Sequence, residues 1–242
     1  YLDTSRRATL VDVADTALHR LTREVRLALP NSVRVAGNGT AVEFLRVVTG
    51  GRYRSQPPGN PLDFSLSSDS FDVIGQLEDA ALVGANASAV QGHCIAGTVD
   101  CLVIHNTGQS GASAYAGDNI AAVRSASASA VSFHAATPFP LTSPGQRFYV
   151  IDGPVSFVCA GGMIYRYSGY PVTAAHSAVD SAAELDALGA SKQLLADKVS
   201  TCKFEYDPGK ATRSGTLRVV LAHTEEGESV RLLQQVQVRN AP

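Results

Sequence analysis

DTSRRATLVDVADTALHRLTREVRLAL, from Asp3 to Leu29, is the stretch whose period decides how the rest of the chain must fold. Its apolar residues, Leu10, Val13, Ala14, Ala17, Leu21, Val25, Ala28 and Leu29, recur every three or four positions and so line one face of a helix. Asp12, Asp15, Thr16, His19, Arg20 and Arg23 fall on the other faces. At about 1.5 Å per residue such a helix spans roughly 40 Å, long for a single compact domain. Pro30 stops it, because the residue before a proline is pushed out of the helical region. Arg20 and Glu24 form an i,i+4 pair in the weaker orientation. One face of this helix is built to be covered, and something downstream has to cover it.

Downstream the period changes to two. Val33 and Val35 flank Arg34, Gly37-Asn38-Gly39 supplies a tight turn, and Val42, Phe44 and Val48 resume the alternation, which predicts a hairpin. Gly50 to Asn60, with Pro57 and Pro58 adjacent, is expected to be a loop. Phe71–Ile74 and Cys101–His105 are short strand candidates, and Gln109–Asn119 is expected to be a long irregular excursion. Arg147–Ile151, Val155–Cys159 and Met163–Tyr167 predict three strands joined at Asp152-Gly153-Pro154 and Ala160-Gly161-Gly162. Ser191–Val199 suggests a short helix capped by Ser191, and Thr201–Tyr206 returns to strand. The last pair is the clearest: Leu217, Val219 and Leu221, a turn through Gly227, then Val230, Leu232, Val236 and Val238. The expectation is one α+β domain over 1–242, with helix 3–29 packed on antiparallel sheet drawn from 30–242 and a large irregular insert between Gln76 and Ser143.

Composition removes several function classes. A formal charge of −2 and a pI near 6.3 provide no basic field for nucleic acid. No run reaches 18 uninterrupted apolar residues, since Ile120–Ala136 is broken by Arg124 and several polar side chains. Tyr1 is not an initiator methionine, and it is expected to be the edge of a mature or truncated chain. Four cysteines allow three pairings. Cys94 with Cys101, bracketing a short loop, and Cys159 with Cys202, each on the apolar face of a strand, is the favoured one; four buried free thiols is the alternative. No CxxC zinc or redox motif is present.

Candidate chemistry is weak in each place it arises. His93 and His105 lack a third ligand at a recognised spacing, so no metal is expected there. Gly117-Asp118-Asn119 lacks the acidic run of a calcium loop and is expected to be a turn. Ser110, Asp118 and His134 have no Gly-x-Ser-x-Gly elbow, and Gly37-x-Gly39 opens no helix. No catalytic residue and no cofactor is assigned. Arg20, Arg23 and Arg26 are the polar residues of most interest, projecting beyond the buried stripe as candidate contacts to an acidic neighbour, the alternative being a solvated face.

Several segments together carry a family resemblance. The leading helix with its Leu-x-x-Leu-x-x-x-Val core runs into Leu29-Pro30-Asn31-Ser32-Val33-Arg34. His105-Asn106-Thr107-Gly108-Gln109, Ala114 to Asn119, and Pro144 to Val155 follow; then come Leu194 to Val199, Phe204, Tyr206 and Gly209, and Leu232 to Pro242. In order and spacing this resembles the type IV pilin-like minor pseudopilins, and among them the O-type minor pilins of the mannose-sensitive haemagglutinin (MSHA) pilus. The resemblance implies a pilin-like fold and a prepilin leader removed by a prepilin peptidase. It also implies an apolar helix half, missing from this sequence, that anchors the protein in the bacterial inner membrane with its head in the periplasm. It implies other minor and major pilins as partners and a role in starting or capping a filament, as part of the pilus or its tip. Leu10, Val13, Ala17, Leu21 and Val25 are then the packing and assembly stripe. J-type pseudopilins of type II secretion share the plan. A tip adhesin that binds a surface glycan through the 76–143 insert is the other expectation, with Tyr115 and Phe133 as the aromatic residues for stacking.

Overall fold

The computed structural model describes residues 2–65, 67–209 and 214–240, with side chains from Ser5 onward. Helix α1 (Leu2–Val25) leads into β1 (Arg34–Val35), β2 (Ala41–Tyr53), β3 (Ser70–Ile74), a one-turn helix α2 (Gln91–Ile95), β4 (Cys101–Ile104), β5 (Ile120–Ala126) and β6 (Ala130–His134). Then come β7 (Arg147–Ala160), β8 (Met163–Ser168), α3 (Ala182–Ala187), β9 (Ser191–Ala196), β10 (Val199–Asp207), β11 (Gly215–Glu225) and β12 (Glu228–Val238). Strand accounts for 42% and helix for 18%, so the α+β pilin-like expectation is corrected: the chain is mostly β, with one long helix.

The correction has a topological cause. Among the described residues a nine-stranded antiparallel sheet runs β1-β2-β3-β6-β5-β4-β7-β8-β9, and β2 also pairs directly with β7. The pairings β2–β3, β3–β6, β6–β5, β5–β4, β4–β7 and β7–β2 therefore close on themselves, as a barrel does. The segment expected to be a large irregular insert supplies β4, β5 and β6 of that ring. Alternation decides which side chains go inside: Leu102 and Ile104 join the buried cluster of Tyr53, Phe71, Phe133, Phe148 and Val150, while Cys101 and Val103 face out. The ring is filled by aromatic packing, with Phe71 5.0 Å from Phe148 and 6.2 Å from Tyr53 between centroids. Outside β4, α2 and the segment before β5 cover a second cluster, and the Cys94–Cys101 disulfide ties α2 to β4.

β2 and β7 are long because each serves two layers. Phe148–Ile151 of β7 pairs with β4 inside the ring, and Val155–Ala160 pairs with β8 beneath α1. The turn expected at Asp152-Gly153-Pro154 is instead the corner between these halves. Gly153 has φ +123°, β2 shifts register around Arg46–Thr49, and Arg46 forks onto the Asp152 carboxylate across the strands. The loop expected from Gly50 begins only after Tyr53. A Cβ at Gly50 would sit 2.9 Å from the Phe148 carbonyl oxygen, so glycine lets β2 run close alongside β7.

Two further boundaries differ from expectation. α1 ends at Val25, short of Leu29, because the backbone peels away to pair with β2: Leu29 N–H donates to Leu45 O at 2.8 Å and Val47 N–H to Leu27 O at 2.8 Å. Ser191–Ala196 is a strand paired with β8, and the short helix lies earlier, where Ser181 Oγ accepts the Glu184 N–H and caps α3. The hairpin through Gly37–Gly39 pairs Arg34 with Glu43 and Val35 with Val42, and β10, β11 and β12 form a separate antiparallel sheet.

Candidate functional site

α1 lies between the two sheets. Leu10, Ala14, Ala17, Leu21 and Val25 are buried and Val13 is half-buried against the same cluster. On one side this cluster contains Val42, Phe44, Val155, Phe157 and Ile164; on the other it contains Phe204, Leu217, Val219, Leu221, Val236 and Val238. Because the helix is gripped from two sides, its covered face is wider than a single-sheet stripe, and Leu18, absent from the expected stripe, is also buried. Cys159 on β7 is bonded to Cys202 on β10 with Cα atoms 6.1 Å apart, so a covalent link joins the two layers that hold the helix.

The polar face of α1 divides into a fastened part and an open part. Glu24, 9% exposed, accepts from Arg166 Nε on β8 at 2.9 and 2.7 Å, and Arg166, itself 5% exposed, also donates to Ser168 Oγ. Arg20 lies 3.6 Å from Glu24 and donates to Gln193 Oε1 on β9 at 2.6 Å. The Arg20 guanidinium is thus engaged within the chain while its side chain remains partly exposed. Arg23 and Arg26 are exposed, and no carboxylate of the described residues pairs with them. Sequence reading missed Arg166, yet the signal was there: it shares the inward side of β8 with Ile164, and a cation on an apolar face requires a buried anion.

Arg26 borders two shallow grooves. One is lined by Thr16, His19, Arg20, Thr22, Arg23, Arg26 and Gln234; the other by Arg26, Ser214, Thr216, Gln235, Gln237 and Arg239. No acidic side chain of the described residues lines either one. At the other end of α1, Ser5, Arg7, Ala8 and Thr9 are exposed, Arg6 pairs with Glu226 at 2.6 Å, and burial begins at Leu10.

The segments that carry the family resemblance meet at an asparagine junction. Asn106 Nδ2 donates to Pro30 O at 2.7 Å, and its Oδ1 accepts from Ala114 N–H at 2.9 Å. Asn31, held at φ +59°, donates to Asn106 O and Asn240 O, and Asn119 Nδ2 donates to Ile104 O. These side chains tie the end of the helix, the 105–119 excursion and the C-terminal end of β12 into one corner. Beside it, Arg34 stacks over Tyr115 at 3.6 Å and reaches Glu43, whose burial raises its carboxyl against the opposing pull of Arg34.

The other candidates are dispersed. Asp118 Oδ2 accepts from its own loop at Gly111 and Ser113, His134 Nδ1 faces Arg124 at 3.2 Å, and His93 Nδ1 caps Val90 N–H at 3.4 Å. Among the described residues no group of three or more His, Cys, Asp or Glu could hold a metal, and no helix is long and apolar enough to cross a membrane. Phe133 is inside the ring at 1% exposure, and one face of Tyr115 is covered by Arg34, so neither offers a free stacking platform. No family model, curated protein or solved structure matches this chain.

Proposed function

We propose that this chain is a non-enzymatic subunit of a type IV pilus-like filament, a minor pilin or pseudopilin that helps to start or cap assembly through α1 and through contacts of its head. The observation that carries the proposal is the state of α1. From Leu10 onward it is locked between two sheets by apolar packing and a buried ion pair, while the turn before Leu10 stands largely uncovered. A helix held this rigidly at one end transmits position into a bundle of neighbouring helices at the other. The ordered segment resemblance to minor pilins supports the same assignment, and two disulfides suit an oxidising compartment such as the periplasm. In this reading the partners are other pilins of the filament, and an apolar extension of α1 holds the protein at the inner membrane.

The test is copurification of the full-length membrane protein with neighbouring pilins, comparing the natural chain with Arg23→Glu. Recovery of pilins that falls for the variant while the isolated head keeps its melting temperature supports the proposal. Recovery of no pilin by the natural chain refutes it. The identity of the partners separates a pilus from a type II secretion assignment.

A further inference from the structure

β12 is the last strand of its sheet, and its outer edge is open. The hairpin turn at Glu226-Gly227 has positive φ at both residues, +47° and +88°, which makes it a two-residue turn closed by the pair Glu225–Glu228. Counting from that closing pair, the alternation of an antiparallel ladder turns the N–H and C=O groups of Glu228, Val230, Leu232, Gln234, Val236 and Val238 toward β11. Those of Ser229, Arg231, Leu233, Gln235 and Gln237 point outward. Among the described residues the outward groups find no partner beyond a 3.4 Å approach of Gln234 Nε2 to Gln235 O.

The other ends of the two sheets are shorter or fastened. β1 has two residues, and β9 has six with a register shift. β10 is held by Phe204 N–H to Gly39 O at 2.8 Å and by the Cys159–Cys202 bond. β12 is eleven residues long, in unbroken register, with no proline or glycine and with Leu233 51% exposed; Glu228 and Arg231 are its charged residues, so the edge carries few of the usual protections.

We propose that the free edge of β12 receives an extended acidic segment of a partner protein, which adds to the sheet as a further antiparallel or parallel strand. The charge along the C-terminal half of the edge, away from Glu225, Glu226 and Glu228 at the turn, selects the occupant. Arg23 and Arg26 of α1 stand on one side, Arg239 closes the end of the strand, and no carboxylate of the described residues lines either groove. At the middle of the strand a second copy is disfavoured by Arg23 and Arg26, while at the strand ends Glu228 of one copy would lie near Arg239 of the other, so self-association is tested directly. Antiparallel self-pairing of β12 about Leu233 has its two-fold axis perpendicular to the sheet, which puts both α1 helices on one side with their exposed arginines facing each other. Backbone hydrogen bonds supply the affinity of an added strand, and the arginines supply its preference for acidic side chains.

This inference does not depend on the filament assignment, and its test uses the purified chain alone. Fluorescence anisotropy is followed with a labelled nine-residue peptide of alternating glutamate and valine, with an alternating lysine and valine peptide and an N-methylated acidic peptide as comparisons. The expected result is saturable binding of the acidic peptide only, weakened more than tenfold by Gln235→Pro. That substitution removes an outward N–H but no bond to β11. Arg23→Glu with Arg26→Glu weakens it by a similar factor, and Lys203→Glu on β10 leaves it unchanged. Circular dichroism melting shows that each variant is folded. Absence of binding by the natural chain, equal binding of the N-methylated peptide, or binding indifferent to Gln235→Pro in a folded variant overturns the proposal. So does a concentration-dependent dimer in sedimentation velocity that Gln235→Pro abolishes, because the edge then belongs to a second copy.

Discussion

Removing Glu24 tests whether α1 is fastened to the body as the structure shows. In Glu24→Leu the Arg166 guanidinium stays buried at 5% exposure, with Ser168 Oγ as its remaining acceptor. An uncompensated buried charge of this kind costs about 3 to 5 kcal/mol. Arg166→Met is milder, because Glu24 keeps Arg20 at 3.6 Å and lies nearer the surface; about 2 kcal/mol is expected for the lost charged hydrogen bonds. The double variant Glu24→Leu/Arg166→Met replaces the pair by apolar side chains between Leu21, Val25 and Ile164 and falls within about 1 kcal/mol of the natural chain, since exchanging a buried pair for well-packed apolar residues is often neutral. Urea unfolding resolves these differences. With a slope near 3 kcal/mol/M the first variant loses about 1 to 1.7 M in midpoint. Amide hydrogen exchange along α1 should accelerate in the same order. A double variant whose cost equals the sum of the singles, or Arg166→Met costing more than Glu24→Leu, refutes the account of how the helix is held.

Three other outcomes follow from the same structure. The Cys159–Cys202 bond closes a separation of 43 residues and Cys94–Cys101 one of 7, so loop-closure entropy alone predicts losses of roughly 4 and 2.4 kcal/mol on paired alanine substitution. Calorimetric melting that ranks the two bonds the other way contradicts the view that the first clamps the layers around α1. Asn106→Ala strands the buried Pro30 carbonyl and the Ala114 N–H and should cost about 3 kcal/mol, read as a shift in urea midpoint without a change in slope. His176 is lowered to about 4 by burial first and by Arg34 second, with Glu184 pulling the other way and Glu43 Oε2 3.8 Å distant. Between pH 4 and 6.5 the unfolded chain therefore binds more protons at this site, and stability must fall as pH drops through that window, by well under the roughly 3 kcal/mol of a fully buried group because His176 is only half-buried. His176→Gln flattens that slope, and an unchanged slope removes His176 as its source.

What was readable in the sequence, and what was not, divides along a physical line. Period-3.6 and period-2 patterns name faces, and they marked Leu10, Ala14, Ala17, Leu21 and Val25 on α1 and the β11–β12 hairpin, because along each of these elements burial follows the element's own repeat. Turns and strand ends whose conformation depends on a neighbour distant in sequence carried a misleading local composition. Asp152-Gly153-Pro154 has the composition of a turn, and in isolation it would be one. It becomes the corner of a continuous strand because β2 runs alongside both halves of β7 and Arg46 reaches across to Asp152. Gly50-Gly51 has the composition of a loop and becomes strand because Phe148 must approach its backbone. Ala121, Ala122, Val131 and Phe133, in the segment expected to be an irregular insert, become ring wall once β4 has β7 as its other neighbour. All these departures trace to one event, the direct pairing of β2 with β7. It both closes the aromatic ring and carries the strands onward beneath α1, so the rigidity of the head and the position of its helix are set by the same pair of strands.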